Sequence, residues 1–495
     1  MGGMSADTQY PKIASFKTPN ELRAHLNSLG LDLPLDDAIL TAHGGSPLGE
    51  PLSVLGRRVG NRWCIHPMEG WDGTAAGDPS ELTLRRWRRF GQSGAKLIWG
   101  GEAYAVRHDG RANPSQLCHH PEGKAGLARL RSALLTAHRE HYGSTDNLLL
   151  GLQLTHSGRF SRPNEKMRPE PKILYHHPIL DARVGIAPDD DSAILSDAQI
   201  DALIDDFVLA ARAAADTGFD FVDIKACHGY LGHEFLSAHT RPGRYGGSLE
   251  NRTRFLRDTI ARVRAEAPGL GIGVRLSAFD TVPFEDNPAT RIGKRKGIGQ
   301  PCAFRHLIPY RYGFGVNPEY PIEIDLTEPL ALLSLLRESG VSFLNITAGS
   351  PYYNPHIQRP AYYPPSDGYR PPEDPLVGVA RQIDVTRRLK ELHPDMILVG
   401  TGYTYLQDYL PHVAQAVVRA GWVDFVGIGR MTLAYPELPA DCLARGELNA
   451  RRLCRTFSDC TTGPRHGLVS GCYPLDDFYK RSPEGDQVRA IRSQI

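Results

Sequence analysis

The feature that most constrains this chain is a rhythm: short apolar or β-branched runs alternate with longer stretches carrying apolar residues at helical spacing. Eight such runs are legible, over 61–68, 95–100, 148–155, 220–225, 271–277, 341–347, 395–400 and 422–427. The clearest helical stripe between them comprises Ile200, Leu203, Ile204, Phe207, Val208 and Ala211. Ser196 followed by Gln199 reads as its capping box. Leu330, Leu333 and Leu336 form a second stripe that stops before Gly340. Strand–helix alternation without internal repetition predicts parallel βαβ units. An open doubly wound sheet shares that pattern, and the count of eight favours an α/β fold of the (β/α)8 TIM-barrel type.

At 495 residues the chain is long for one domain, but barrels of this kind routinely run long. We read 1–495 as a single decorated barrel domain. Residues 1–60 form an N-terminal extension, 281–325 a lid-like insertion after strand five, and 435–495 a C-terminal tail. Lys plus Arg number 57 against 56 Asp plus Glu, so no overall charge steers the chain toward nucleic acid or a membrane. Neither a signal-peptide pattern nor a bilayer-length apolar run is present, and eight scattered cysteines do not make a disulfide scaffold. A cytoplasmic enzyme with a small-molecule substrate is the expectation, and a homo-oligomer is compatible with it.

In a β/α barrel, chemistry gathers where the strands end. Strand four runs into Lys225, His228 and Tyr230. A lysine and a histidine three apart can both donate to one carbonyl or oxyanion, and a tyrosine can supply a proton. Taken singly, such a lysine is more often an ion-pair partner and such a histidine a structural residue. Strands seven and eight end in Gly402 and in Gly429–Arg430. Glycines there let backbone N–H groups approach an anion, and barrels commonly bind phosphate at this place. Plain tight turns are the competing explanation.

These residues carry a resemblance. The stretch from Asp223 through Lys225, His228, Tyr230, Glu234 and Arg241 to Tyr245-Gly-Gly-Ser-Leu-Glu-Asn-Arg252 closely resembles the old yellow enzyme superfamily. More narrowly, it resembles the NADH:flavin oxidoreductase branch, which includes 2,4-dienoyl-CoA reductase and trimethylamine dehydrogenase. The likeness spans roughly 50–475 and includes Gly-Ile-Gly-Arg430 followed by Tyr435-Pro-Glu-Leu-Pro439. It implies an FMN-binding barrel with NADH or NADPH as electron donor. By the same likeness Pro67, Met68, Glu69 and Ala103 line the flavin, and Gln153 bonds its pyrimidine edge. Arg275 faces its N1–O2 locus, and Gly402, Gly429 and Arg430 take its phosphate. Lys225 and His228 hold a substrate carbonyl, Tyr230 is the proton donor, and Trp71 packs on the substrate. The implied reaction is reduction of an activated C=C bond, in an α,β-unsaturated carbonyl or an enoyl thioester, by hydride from flavin N5.

Several departures qualify this. Most relatives have histidine where Lys225 stands, and Glu69 replaces a smaller residue that tunes the flavin; we expect the two charges to compensate each other. Cys454, Cys460 and Cys472 keep the spacing of cluster-bearing relatives, but Phe457 falls where another ligand is needed and Cys442 lies too far upstream. A [4Fe–4S] centre normally takes four thiolates, so none is expected, nor any other metal. No strand–GxGxxG–helix unit follows the barrel. Arg291, Lys294, Arg295, Lys296, Arg305 and Arg311 make the insertion basic. They read either as a solvated face or as a lid for a phosphate-bearing ligand. The alternatives kept open are a flavin dehydrogenase oxidising an amine or alcohol, a Schiff-base lyase using Lys225, and an inactive flavin-binding scaffold.

Overall fold

The computed structural model describes residues 10–493. Eight parallel strands close into a ring: β1 (Trp63–Ile65), β2 (Leu97–Ile98), β3 (Leu149–Thr155), β4 (Phe221–Ala226), β5 (Gly271–Ser277), β6 (Phe343–Thr347), β7 (Ile397–Gly400) and β8 (Phe425–Ile428). Neighbours pair in sequence order, and β8 returns to β1 through Val426 opposite Trp63. Each of the eight expected runs coincides with one barrel strand, β4 and β8 running one residue past theirs. A short further strand, Ala103–Ala105, prolongs the line of β2 along β3.

Helices α1 (Glu81–Gly91), α2 (Lys124–Tyr142), α3 (Asp197–Asp216), α4 (Leu249–Glu266), α5 (Thr327–Glu338), α6 (Pro375–Leu392) and α7 (Leu410–Arg419) connect successive strands, and α8 (Leu438–Arg445) follows β8. The start of α3 shows how the sequence sets such an element. Ser196 Oγ accepts from Gln199 N while Gln199 Oε1 accepts from Ser196 N, so two orphaned donors are satisfied at once. Its predicted apolar stripe is buried against the barrel along its whole length.

The bottom of the barrel is plugged by aromatic packing. Trp99 lies 4.4 Å from Phe343 and 5.4 Å from Phe221, centroid to centroid. Gly151 makes room, since a Cβ there would come within 2.3 Å of Phe221. The antiparallel hairpin of Leu52–Val54 and Arg57–Val59 adds Val54 and Val59 to this plug. Sealing one end leaves the other, where the strands finish, as the place for a ligand.

Long segments build on that other end. Within the basic insertion Phe284–Asp286 pairs with Gly299–Pro301 in a small hairpin. Beyond α8 the chain returns across the barrel mouth. It is fastened there by Arg85, whose two nitrogens reach the Asp476 carboxylate at 2.8 and 2.9 Å, and by Ser470 Oγ, which accepts from Trp71 N at 2.9 Å. Among the described residues, no helix is long and apolar enough to cross a membrane.

Candidate active site

A cleft of about 270 Å3 opens at the carboxyl ends of the strands. Its walls include Pro67, Met68, Glu69 and Trp71 after β1, Gln153 on β3, and Lys225, His228 and Tyr230 from β4 and its loop. Arg275 on β5, Gly402 after β7, and Gly429 and Arg430 after β8 complete the predicted set. Ala103 is the exception. It is buried, its N–H bonds Glu102 Oε1 at 3.2 Å, its carbonyl accepts from Gln116 Nε2 at 2.7 Å, and it does not reach the cleft.

A polar layer floors the cleft just above the aromatic plug. Asp223 accepts from Gln153 Nε2 and from the Arg275 backbone N–H, both at 2.6 Å, which fixes the amide and the strand register together. Burial pushes the Asp223 carboxyl up to about 6 in spite of these donors. Arg275 spends one nitrogen on the Pro67 carbonyl at 3.3 Å, and its buried Nε has no partner.

On one side of the cleft stand the groups of strand four. His228 adopts φ 66°, a conformation uncommon outside glycine, and Gly229 follows at φ 73°. That turn directs the imidazole into the cleft, with Nε2 3.3 Å from both Thr347 Oγ1 and Gln358 Nε2. Burial, with Arg275 and Lys225 nearby, holds His228 well below the usual histidine range, so it is neutral. The Lys225 ammonium lies 3.6 Å from the centre of the Tyr230 ring. Burial draws its pKa down, while nearby Cys227 and Glu69 favour the charge. Tyr230 Oη donates to Glu69 Oε2 at 2.6 Å and lies 2.9 Å from Tyr352 Oη. Burial, and then the Glu69 charge, raise the Tyr230 phenol well above its ordinary value. The expected compensation of Glu69 and Lys225 runs through Tyr230, which stands between them, touching the cation with its face and the carboxylate with its hydroxyl. A ring with a polar tip can answer both charges at once.

The opposite side is strongly cationic. Arg430 gives Nη2 to the Pro360 carbonyl at 3.3 Å, and its buried Nη1 has no partner among the described residues. Arg359 bonds Thr461 through Nη1, and its Nη2 is likewise buried and unpartnered. Burial lowers the Arg359 guanidinium to about 10, and the charges of Arg430 and Arg465 add to the effect. Orphaned buried donors of one sign call for an anion. The backbone leaves room for one. A Cβ on Gly429 would meet nothing closer than 3.8 Å, and Gly402, at φ 96°, nothing closer than 3.6 Å. This donor set fits a phosphate, and the polar floor fits the hydrogen-bonding edge of a flat heterocycle.

Tyr352, Gln358, Arg359, Thr461 and Arg465 were not singled out from the sequence. They come from the loop after β6 and from the tail, where no periodic pattern marks a residue as facing inward. The Arg86 guanidinium, clamped by Asp72 at 2.9 Å and Glu102 at 2.6 Å, also borders the cleft. The tail cysteines Cys454 and Cys472 are buried thiols raised by that burial. Among the described residues no group of His, Cys, Asp or Glu is arranged to hold a metal ion.

The family model for the NADH:flavin oxidoreductase / NADH oxidase family matches residues 48–291. An NADH:flavin oxidoreductase of Gibberella zeae is 27% identical over 419 residues, covering 80% of this chain and 84% of the relative. An NADPH dehydrogenase of Bacillus subtilis is 33% identical over 251 residues, covering 50% of this chain and 66% of the relative. Among solved structures, a 2-naphthoyl-CoA reductase superposes with a TM-score of 0.63 at 17% identity. That match covers 90% of this chain but only 58% of the longer protein, so this chain corresponds to little more than half of it. The chain belongs to the NADH:flavin oxidoreductase / NADH oxidase family and is an FMN-dependent oxidoreductase.

Proposed function

We propose that the chain reduces an activated C=C bond, in an α,β-unsaturated carbonyl or an enoyl thioester, with NADH or NADPH as electron source. The observation that carries this reading is the convergence of Lys225, His228 and Tyr230 on a cleft that also holds two guanidiniums, each with one buried nitrogen lacking a partner among the described residues. Gly402, Gly429, Arg430 and Arg359 would hold the phosphate of FMN, and Gln153 and Arg275 its ring edge; bound there, the flavin would supply the hydride. The remaining work belongs to the protein.

Lys225 and His228 polarise the carbonyl oxygen. Donors aimed at an oxygen that gains charge during the reaction stabilise the transition state more than the bound substrate. A neutral imidazole is a sound partner here, because it donates without placing a second full cation beside Lys225. Tyr230 delivers the proton to the α-carbon. Its proton rests toward Glu69, and Tyr352, 2.9 Å away, is the neighbour that can return a proton to the hydroxyl. Glu69 therefore sets how readily Tyr230 parts with its proton. Trp71 and Tyr352 wall the substrate against water.

The test is an acceptor panel. Flavin-loaded protein, bleached anaerobically with NADPH, should regain its colour on adding an enone or an enoyl thioester. Recovery with dioxygen alone, or bleaching by an amine without any nicotinamide, would overturn the reading.

A further inference from the structure

A second, larger cavity of about 510 Å3 lies beside the active-site cleft. Five cations border it: Lys12 from the N-terminal extension, Arg295 and Lys296 from the insertion, Arg370 from the loop before α6, and Arg492 from the tail. Among the described residues Asp459 is the single carboxylate on its walls, and it is bonded by Arg492 at 3.0 Å. The other notable lining is aromatic. Tyr363 and Phe457 stack at 5.6 Å with 25° between planes, Tyr362 stands edge-on to Tyr363 at 4.8 Å, and Lys12 lies 5.4 Å from the Tyr362 ring. Four separate stretches of chain thus bring positive charge and flat rings to one concavity.

A third cavity borders both the groove and the cleft. An intervening cavity of about 240 Å3 shares Pro351 and Tyr352 with the cleft and shares Lys296, Pro365 and Gly368 with the groove. Tyr352 is the residue that touches Tyr230. A ligand whose reacting end lies against Tyr230 could therefore extend past Tyr352 and leave its far end among the cations.

We propose that the groove binds the phosphorylated adenosine tail of a ligand whose other end reacts in the cleft. Phosphates need clustered cations, and a purine needs an aromatic face to stack on; the groove supplies both. Two carriers share this chemistry: NADPH, with its 2′-phosphate, and a coenzyme A thioester, with its 3′-phosphate. The proposal rests on the cleft being the place where donor and substrate react, and it assigns the basic insertion a binding surface. Of the six basic residues, Arg295 and Lys296 border the groove, while Arg291 pairs with Asp286 at 2.7 Å.

The test measures binding directly on flavin-loaded protein, by calorimetry with adenosine 2′,5′-bisphosphate and adenosine 3′,5′-bisphosphate. At least one should bind, with affinity that falls as salt rises. The double variant Lys12→Glu, Lys296→Glu, which alters two exposed side chains, should weaken it by about tenfold or more. The tighter bisphosphate identifies the carrier, whose KM should rise in the same variant, while KM and kcat for 2-cyclohexenone, which carries no nucleotide, stay unchanged. Absence of binding by both bisphosphates, or equal affinity in the variant, would overturn the proposal. Bisphosphate binding in a protein that reduces no alkene would leave the groove standing and remove only the proposed reaction.

Discussion

Tyr230 is held between a cation on its face and a carboxylate at its hydroxyl, and both contacts bear on when its proton leaves. Replacing Tyr230 with Phe should lower kcat for alkene reduction by about a hundredfold or more, since a positioned proton donor commonly contributes that much. Anaerobic bleaching by NADPH, followed in a stopped-flow instrument, should be unaffected, because no proton from Tyr230 enters that half-reaction. Lys225 offers a pH signature. Burial lowers its pKa, so the protonated donor is lost at a lower pH than for a free lysine, and kcat/KM should decline on the alkaline side accordingly. Glu69 favours the Lys225 cation; Glu69→Gln removes that help and should move the alkaline limb further toward neutrality. A limb that stays in place would mean another group governs it. At this scale the sequence was informative about residue type and less so about partners. Lys225, His228 and Tyr230 were legible because they crowd the end of one strand. That Tyr230 separates Glu69 from Lys225 was not, since these residues come from different strands and no local pattern orders them.

At the scale of elements, the βα turns after β7 and β8 and the loop after β6 combine into one cationic wall. Two of its guanidiniums carry buried nitrogens without partners, and Arg359 feels both Arg430 and Arg465. Arg430→Met should therefore weaken FMN binding by about tenfold or more, read from flavin fluorescence on dilution. The apoprotein's melting temperature should not fall, because removing one of several crowded like charges relieves repulsion. The elements themselves were readable in advance. Eight strands and their helices follow from apolar periodicity, and the capping box at Ser196 from two residues alone. Arg359 and Arg465 escaped notice because they sit in irregular chain, where orientation depends on tertiary contacts.

The whole molecule is a barrel closed at one end by aromatic packing and walled at the other by insertions. Trp99 is fully buried in that plug against Phe221 and Phe343. Trp99→Ala should cost about 3–5 kcal/mol, the usual range for emptying so large a site. Denaturant unfolding would measure it, and a loss well below that range would mean the plug collapses to refill the space. The alternation of strands and helices pointed to this architecture, with eight strands tipping the choice from an open sheet to a ring.

The order in which the parts occur along the chain has a consequence of its own. Thr461, Arg465 and Ser470, which form one side of the cleft, all follow β8. Every strand of the ring is thus available before that side exists, and the ring can close on its plug while its mouth is still wide. The side that shuts the mouth therefore depends on the last part of the chain, and the Asp476–Arg85 pair fastens it in place.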